Sequence, residues 1–186
     1  MSEATDSLRG RLMVASPAML DPNFHRTVVL LIEHGEEGAL GVILNRATEM
    51  SVGDPLPAWQ DHAADPGVVF VGGPVQRSSA ICLGHSTSPV RTSGWAPVFD
   101  GIGTVDLNEE PARVPGVAKV RVFAGHAGWG PLQLEDEMDD GAWVVCDARA
   151  ADVLDPEPDL LWDRVVERQP GVVPLLTRFP PDPDLN

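Results

Sequence analysis

Residues 21–46, DPNFHRTVVLLIEHGEEGALGVILNR, contain two apolar runs that are joined by a short segment with glycine at each end. The runs, TVVLLIE at 27–33 and ALGVILN at 39–45, are apolar and partly β-branched at consecutive positions. Such runs are typical of strands that are covered on both faces. The GEEG segment at 35–38 has the composition of a hairpin turn. The stretch therefore predicts two buried, paired antiparallel strands.

Polar residues lie at the ends of both predicted strands. Residues 21–23, Asp-Pro-Asn, form turns readily because Asp and Asn side chains bond to their own backbone. Arg26 is expected to pair with a distant carboxylate, for which Glu135 is a candidate. Asn45 ends the second strand. Polar groups that meet at strand ends form either a cleft or a hydrogen-bonded corner, and both interpretations stay open at this point.

The rest of the chain predicts more strands than helices. Further strands are predicted at 11–15, 68–71, 80–84, 95–99, 103–107, 118–124 and 142–146, and helices at 55–64, 131–140 and 159–169. Hairpin-like runs of strands with helices late in the chain indicate an α+β fold. A length of 186 residues suits one domain. We expect a flexible lead-in at 1–9, the domain at 10–178 and a flexible tail rich in Pro and Asp at 179–186.

The charge of the chain excludes several classes of partner. The sequence has 28 Asp and Glu against 13 Lys and Arg, which gives a net charge of −15 and a pI of about 4.5. A field of that sign repels phosphate backbones and anionic lipids. We therefore expect neither direct nucleic-acid binding nor membrane association.

The expected location is the cytoplasm. The segment MSEATDSLRGRL is polar and lacks the apolar region of a signal peptide. No apolar run approaches the ~20 residues that span a bilayer. Cys82 and Cys146 lie in apolar stretches without C-x-x-C spacing, so buried free thiols are expected.

A glycine-rich segment precedes the predicted helix at 131–140. Residues 119–140, KVRVFAGHAGWGPLQLEDEMDD, read as strand, glycine loop at 125–130 and helix. Such loops cradle phosphate elsewhere, but the spacing matches neither a dinucleotide fingerprint nor a P-loop. The carboxylates at 135–137 complement the positive helix end and would repel phosphate. With Pro131 at the first helical position and Gly141 after the last, a structural corner with no cofactor is favoured.

Metal and nucleophile signatures are weak. The acidic run EDEMDD lacks the spacing of a calcium loop and is interpreted as a solvated helix face. His34, His85 and His126 lie at predicted strand ends, which could converge, so a three-histidine site is an alternative to satisfied corner histidines. No H-E-x-x-H or G-x-S-x-G motif occurs. The expectation is therefore a chain without a bound metal.

Three stretches together resemble the signature blocks of the bacterial YqgE/AlgH family. They are SPAMLDPNFHRTVVLLIEHGEEGALGVILNR, FVGGPVQ and AGHAGWGPLQLEDEMDDGAW, in order across most of the chain. The resemblance implies one compact α+β domain with a mixed, largely antiparallel, partly barrel-like sheet flanked by helices. It implies a cytosolic protein without an established biochemical activity. The family name implies a link to transcriptional control of alginate synthesis, without a recognisable DNA-binding element.

Two positions depart from that family pattern. An aromatic residue, often Tyr, is usual where this chain has His126, and Gly is usual where it has Leu132. A catalytic role for that aromatic hydroxyl would therefore not carry over.

Clustering of these motifs predicts one cleft built from the 125–130 loop, the 21–26 loop and Gly72-Gly73-Pro74. The candidate residues are Asp21, Asn23, Arg26, Asn45, Gly73, His126, Trp129 and Glu135. We expect a non-enzymatic binding or regulatory protein that engages an unknown protein or small molecule. The alternative is a hydrolase-type enzyme with His and Glu from the glycine-flanked loops as acid and base. Direct action on DNA fits the family name but not the charge.

Overall fold

The protein is described by a computed structural model over residues 6–89, 92–171 and 173–178. Ten strands occur in these residues: β1 Leu12–Ala15, β2 Val28–Gly35, β3 Gly38–Ile43, β4 Ala47–Ser51, β5 Val68–Val71, β6 Val75–Ser86, β7 Trp95–Phe99, β8 Ile102–Val105, β9 Val117–Trp129 and β10 Trp143–Cys146. The α-helices are α1 Gln133–Asp139, α2 Ala150–Val153 and α3 Leu161–Glu167. Short 3₁₀ helices span Pro57–His62, Pro111–Arg113, Pro158–Leu160 and Val173–Arg178.

The predicted hairpin is confirmed by β2 and β3. The two strands pair antiparallel from Val29 opposite Ile43 to Gly35 opposite Gly38. Consecutive residues of β2 enter different apolar clusters: Leu30 packs in one cluster, while Val29 and Leu31 pack in another. Burial on both faces explains why the run carries no polar alternation.

The strands form one curled, largely antiparallel sheet. Its order is β10-β1-β2-β3-β9-β6-β8-β7, and β4 and β5 join beside β9. Among the strands of the described ranges, only β5 and β9 pair in parallel. The expected mixed, partly barrel-like α+β fold is confirmed: the sheet makes a half-barrel with a few helices against it.

A buried arginine ties the C-terminal helices to the sheet. Arg121 of β9 is 2% exposed and lies over the Phe70 ring at 4.3 Å. Its Nη1 donates to the carbonyl oxygens of Val153 at 3.0 Å and Asp155 at 2.9 Å, and its Nη2 donates to the carbonyl oxygen of Asp65. Burial lowers the pKa of Arg121 to about 10, so it stays charged at neutral pH. These bonds replace the water that the two Nη atoms lose, while the buried Nε has no hydrogen-bond partner among the described residues.

The predicted glycine loop at 125–130 is wrong, because β9 continues through it to Trp129. Strand β3 pairs with this segment, with Ala39 opposite Trp129 and Gly41 opposite Ala127. The glycines here allow neighbouring backbone segments to pack closely. A Cβ atom added to Gly73 would lie 2.1 Å from the His126 carbonyl carbon.

The boundaries of the following helix also differ from expectation. Helix α1 begins at Gln133 rather than Pro131, and its N-cap residue Leu132 has a left-handed φ of 60°. The predicted end is confirmed, since Gly141 follows the C-cap with φ 77°. The Gly141 N–H bonds the Met138 carbonyl at 3.0 Å and the Ala142 N–H bonds the Glu137 carbonyl at 2.9 Å. This is the double hydrogen bond of a Schellman end.

Several other elements were missed or misjudged. Strand β6 is longer than the predicted 80–84, and β4 and α2 were not predicted. The helix predicted at 55–64 is a 3₁₀ helix, and that at 159–169 is a 3₁₀ turn followed by α3. The predicted tail at 179–186 and the first five residues of the lead-in lie outside the described residues. In the described part, we find no helix with the length and apolarity to cross a bilayer.

Candidate functional site

An open cleft of about 290 Å³ forms where two of the three predicted segments meet. The 21–26 loop contributes Asn23, and the Gly72-Gly73-Pro74 turn contributes Gly73. Arg46 and Arg77 also line it. We call it the arginine cleft. The third predicted segment passes directly behind it, because β9 crosses Gly73 at His126.

Backbone hydrogen bonds around Gly72 attach this wall of the arginine cleft to the sheet. The Gly72 N–H bonds the Ala124 carbonyl at 2.8 Å, and the Gly72 carbonyl accepts from the Ile43 N–H at 2.8 Å. The Val71 N–H bonds the Arg46 carbonyl at 2.8 Å. These backbone hydrogen bonds fix the turn between β3 and β9.

Asn45 is a hydrogen-bonded corner next to the cleft. Its Oδ1 accepts from the Val28 N–H at 3.0 Å, and its Nδ2 donates to the Arg26 carbonyl at 2.9 Å. Both ends of the amide are therefore used to join the start of β2 to the residues after β3. This geometry places the next residue, Arg46, at the cleft.

The two arginines of the cleft are held differently. Arg46 donates through Nη2 to the carbonyl oxygens of His25 at 2.8 Å and Pro22 at 3.4 Å. Arg77 is exposed and has no ion pair or hydrogen bond to any described residue. It lies where β6 departs from regular pairing with β9, after Gln76 with its left-handed φ of 48°. One cation is thus fixed by the loop and the other projects from an irregular strand.

Among the residues that the structure describes, no carboxylate lines the arginine cleft. Asp21 lies two residues from Asn23, but its Oδ1 accepts the Asn23 N–H at 2.9 Å in a local turn. The site is therefore a positively charged region in a chain of net charge −15.

Arg26 does not pair with Glu135, which corrects the sequence-based expectation. Its Nη2 lies 3.0 Å from Asp163 Oδ1, and its guanidinium stacks 4.0 Å from the centre of the Trp162 ring. The pair connects the 21–26 loop to α3. Arg26 is thus directed at the helical layer and is absent from the lining of the arginine cleft.

Glu135 pairs with His34 instead. Glu135 Oε1 lies 2.8 Å from His34 Nε2, and the Leu8 N–H donates to His34 Nδ1 at 3.0 Å. Because Nδ1 accepts a backbone hydrogen bond, the neutral ring carries its hydrogen on Nε2 and donates it to Glu135. The imidazole has no nitrogen left for a substrate. The pair joins the end of β2, helix α1 and the N-terminal segment.

Trp129 packs in an aromatic cluster under α1. Its ring lies 5.9 Å from that of Trp143 and 6.3 Å from that of Phe24. Glu137 Oε2 accepts both indole N–H groups, at 2.9 Å from Trp129 and 2.8 Å from Trp143. One carboxylate therefore fastens α1 to β9 and β10, and Trp129 is part of the core.

The histidines do not form a metal cluster. His126 lies opposite Val75 in the sheet and is absent from the arginine cleft lining, and His34 is bonded to Glu135. Within 6–89, 92–171 and 173–178, no three His, Cys, Asp or Glu side chains lie close enough to hold a metal ion. This leaves the three-histidine alternative without support.

Neither cysteine is activated as a nucleophile. Burial raises the pKa of the Cys82 thiol far above its ordinary range and that of Cys146 to about 11. Both thiols are buried, free and protonated at neutral pH.

The sequence-based candidates thus divide between the cleft and the framework. Asn23 and Gly73 line the arginine cleft, while Asn45 and Trp129 are bonded elsewhere. The cationic residues Arg46 and Arg77 were not among the candidates. Arg46 follows Asn45 and Arg77 lies shortly after Gly72-Gly73-Pro74, and these positions could have indicated a role in the cleft. A single arginine after a strand is common, however, so the signal is weak.

Comparisons with known proteins agree in sequence and in fold. A family model described as AlgH-like matches residues 12–173. A UPF0301 protein of Streptomyces coelicolor is 50% identical over 185 residues, 97% of this chain and 96% of that protein. The crystal structure of a Corynebacterium diphtheriae protein gives a TM-score of 0.87 at 32% identity, covering 94% of this chain and 93% of that one. The solution structure of the Pseudomonas aeruginosa AlgH protein gives 0.68 at 27% identity, covering 95% and 96%.

Proposed function

The chain belongs to the AlgH-like family, and we propose that it is a non-enzymatic binding protein that takes a small anionic ligand in the arginine cleft. The observation that carries this is the meeting of Arg46 and Arg77 in one cleft, whose lining contains no carboxylate among the described residues. In a chain of net charge −15, the overall field repels anions, so an anion would be retained only by local donors.

Arg46 is arranged to receive such a ligand. Its Nη2 is bonded to the carbonyl oxygens of the 21–26 loop, while Nε and Nη1 make no hydrogen bond to a described residue. A guanidinium that is fixed at one nitrogen loses less freedom when the remaining donors bind a carboxylate or phosphate. Arg77 adds a second charge on the exposed side of the cleft.

The size and walls of the cleft limit the ligand. Ile43, Val71 and Pro74 supply apolar surface beside the two arginines. The volume of about 290 Å³ is at the lower end of the range for small-molecule sites. These features favour a compact molecule with one anionic group.

The hydrogen bonds and positions of the candidate acid and base residues favour binding over hydrolysis. The alternative assigns acid and base roles to His and Glu of the glycine-rich segments. Glu135 is bonded to His34, whose second ring nitrogen accepts the Leu8 N–H. His126 lies outside the cleft lining. A cytoplasmic location completes the proposal, since two free cysteines suit a reducing compartment.

An NMR titration tests this proposal. Sodium phosphate and sodium acetate are added to the labelled protein at constant ionic strength, and amide shifts are followed. We expect saturable shifts at Asn23, Gly73 and Ala47, and a rise in Kd of about tenfold in Arg77→Gln, which is ~1.4 kcal/mol. Arg113→Gln removes an exposed arginine outside the lining and should leave Kd unchanged. Equal weakening in the two variants, or no weakening in Arg77→Gln, would overturn the proposal.

A further inference from the structure

A second depression, of about 540 Å³, lies apart from the arginine cleft and has a largely apolar floor. Leu40, Leu56, Ile81 and Leu107 line it and are each half-buried. We call it the apolar groove. Half-exposed aliphatic side chains gathered in one concave surface mark an interaction site more often than singly exposed ones do.

Strand β2 is irregular where it borders the apolar groove. Leu31 lies opposite Gly41 and Glu33 lies opposite Leu40, so Ile32 is an extra residue in the pairing. Bulges of this kind re-aim side chains and are frequent beside functional sites. Ile32 is buried and Glu33 is exposed, and both line the groove.

The charge of the groove is negative. Glu33 and Asp106 are exposed in its lining, and no Lys or Arg of the described ranges lines it. The arginine that reaches toward β2 is Arg9, which donates through Nε to the Ile32 carbonyl at 2.9 Å and through Nη2 to the Pro97 carbonyl at 2.7 Å. Its donors are directed at backbone oxygens. Arg9 keeps its positive charge, so the two carboxylates and this one arginine leave a net negative charge at the groove, which is also the sign of the whole chain.

We infer that the apolar groove docks a basic amphipathic segment of a partner protein. Apolar side chains of that segment cover Leu40, Ile81 and Leu107, and its Lys or Arg residues pair with Glu33 and Asp106. Complementary charge speeds encounter and fixes orientation, while the apolar floor supplies contact area. This inference uses residues outside the arginine cleft and stands independently of the ligand proposed there.

Fluorescence anisotropy with synthetic peptides tests the inference. The probe is a labelled peptide of alternating leucine and lysine, and the comparison peptide alternates leucine and glutamate. We expect saturable binding of the first to the full chain and none of the second. Glu33→Lys should weaken binding by about tenfold or more. Asp106→Asn keeps the acceptor for the Asn108 N–H and should weaken it less.

A matched charge reversal separates the groove from the general field. Glu167→Lys makes the same change in net charge at an exposed position outside the groove, at the end of α3 where a cation suits the helix. It should change Kd by less than about twofold. Leu107→Ser should weaken binding through the loss of apolar contact, and thermal unfolding checks that each variant is folded. Equal effects of Glu33→Lys and Glu167→Lys, absence of binding, or occupation of the groove by a second copy in sedimentation would overturn the inference.

Discussion

Two glutamates of α1 show how residues of the same type, two positions apart, are used differently. Glu135 accepts one imidazole N–H from His34, and Glu137 accepts two indole N–H groups from Trp129 and Trp143. The acidic run was interpreted as a solvated face, and that holds for the exposed Asp136 but not for these two carboxylates. Each carboxylate is half-buried and accepts charge-assisted hydrogen bonds from ring N–H groups that need an acceptor there.

Glu135→Gln is expected to reduce the free energy of unfolding by about 1–2 kcal/mol. The amide oxygen can still accept from His34 Nε2, but a neutral acceptor replaces a charged one. Urea denaturation measures the difference. Asp136→Asn, at an exposed neighbour without a side-chain partner among the described residues, should change it by less than about 0.5 kcal/mol. Unchanged or raised stability in Glu135→Gln would mean that the carboxylate is held at a cost and would make it a functional candidate.

Leu132→Gly is expected to stabilise the protein by up to about 1 kcal/mol. Leu132 is 65% exposed and adopts φ 60°, a conformation that costs an L-residue roughly 1–2 kcal/mol. Glycine removes this cost, but its greater conformational entropy in the unfolded chain lowers the free energy of unfolding by about 0.5–1 kcal/mol. Leu132→Ala keeps the same backbone penalty and serves as the control in thermal unfolding. A gain in the alanine variant equal to that in the glycine variant would show that exposure of the leucine, not its φ, is responsible.

The elements that depend on local sequence were predictable, and those that depend on distant contacts were not. The β2–β3 hairpin follows from two apolar runs around a glycine-flanked turn. The glycines of β9 predict a loop by composition, but they allow Gly73 to cross the strand at van der Waals contact. The same limit applies to the cleft. Asn23 and Gly73 could be proposed from motif clustering, whereas Arg77 reaches the cleft only through the irregular pairing of β6.

The crossing of Gly73 over β9 gives a prediction with an internal control. Gly73→Ala should destabilise by at least about 2 kcal/mol, because its Cβ would lie 2.1 Å from the His126 carbonyl carbon and backbone must move. Gly128→Ala should change stability by less than about 1 kcal/mol, since its Cβ would meet only the His126 ring at 4.0 Å. Chemical denaturation compares the two. Similar losses in both variants would argue against the close crossing.

At the scale of the whole molecule, four arginines form ion pairs within the described part of the fold. Arg11 pairs with Asp147, Arg26 with Asp163, Arg164 with Asp155 and Glu157, and Arg168 with Asp152. A net charge of −15 coexists with a local positive cleft because the described residues that line the cleft include two arginines and no carboxylate. Among the described residues, the two arginines of the cleft do not extend into a basic track, and this suits the small anion proposed above.

The whole-molecule charge predicts that duplex DNA does not bind. A DNA-binding surface needs Lys and Arg spread over several phosphates, and each phosphate contact adds to the salt dependence of binding. Here, two arginines lie in a cleft of about 290 Å³, which cannot span a duplex backbone. Fluorescence anisotropy with labelled duplex DNA at low salt should show no saturable binding at micromolar protein. Saturable binding with a steep salt dependence, lost in Arg77→Gln but not in Arg113→Gln, would contradict this. It would identify the arginine cleft as a contact for backbone phosphates.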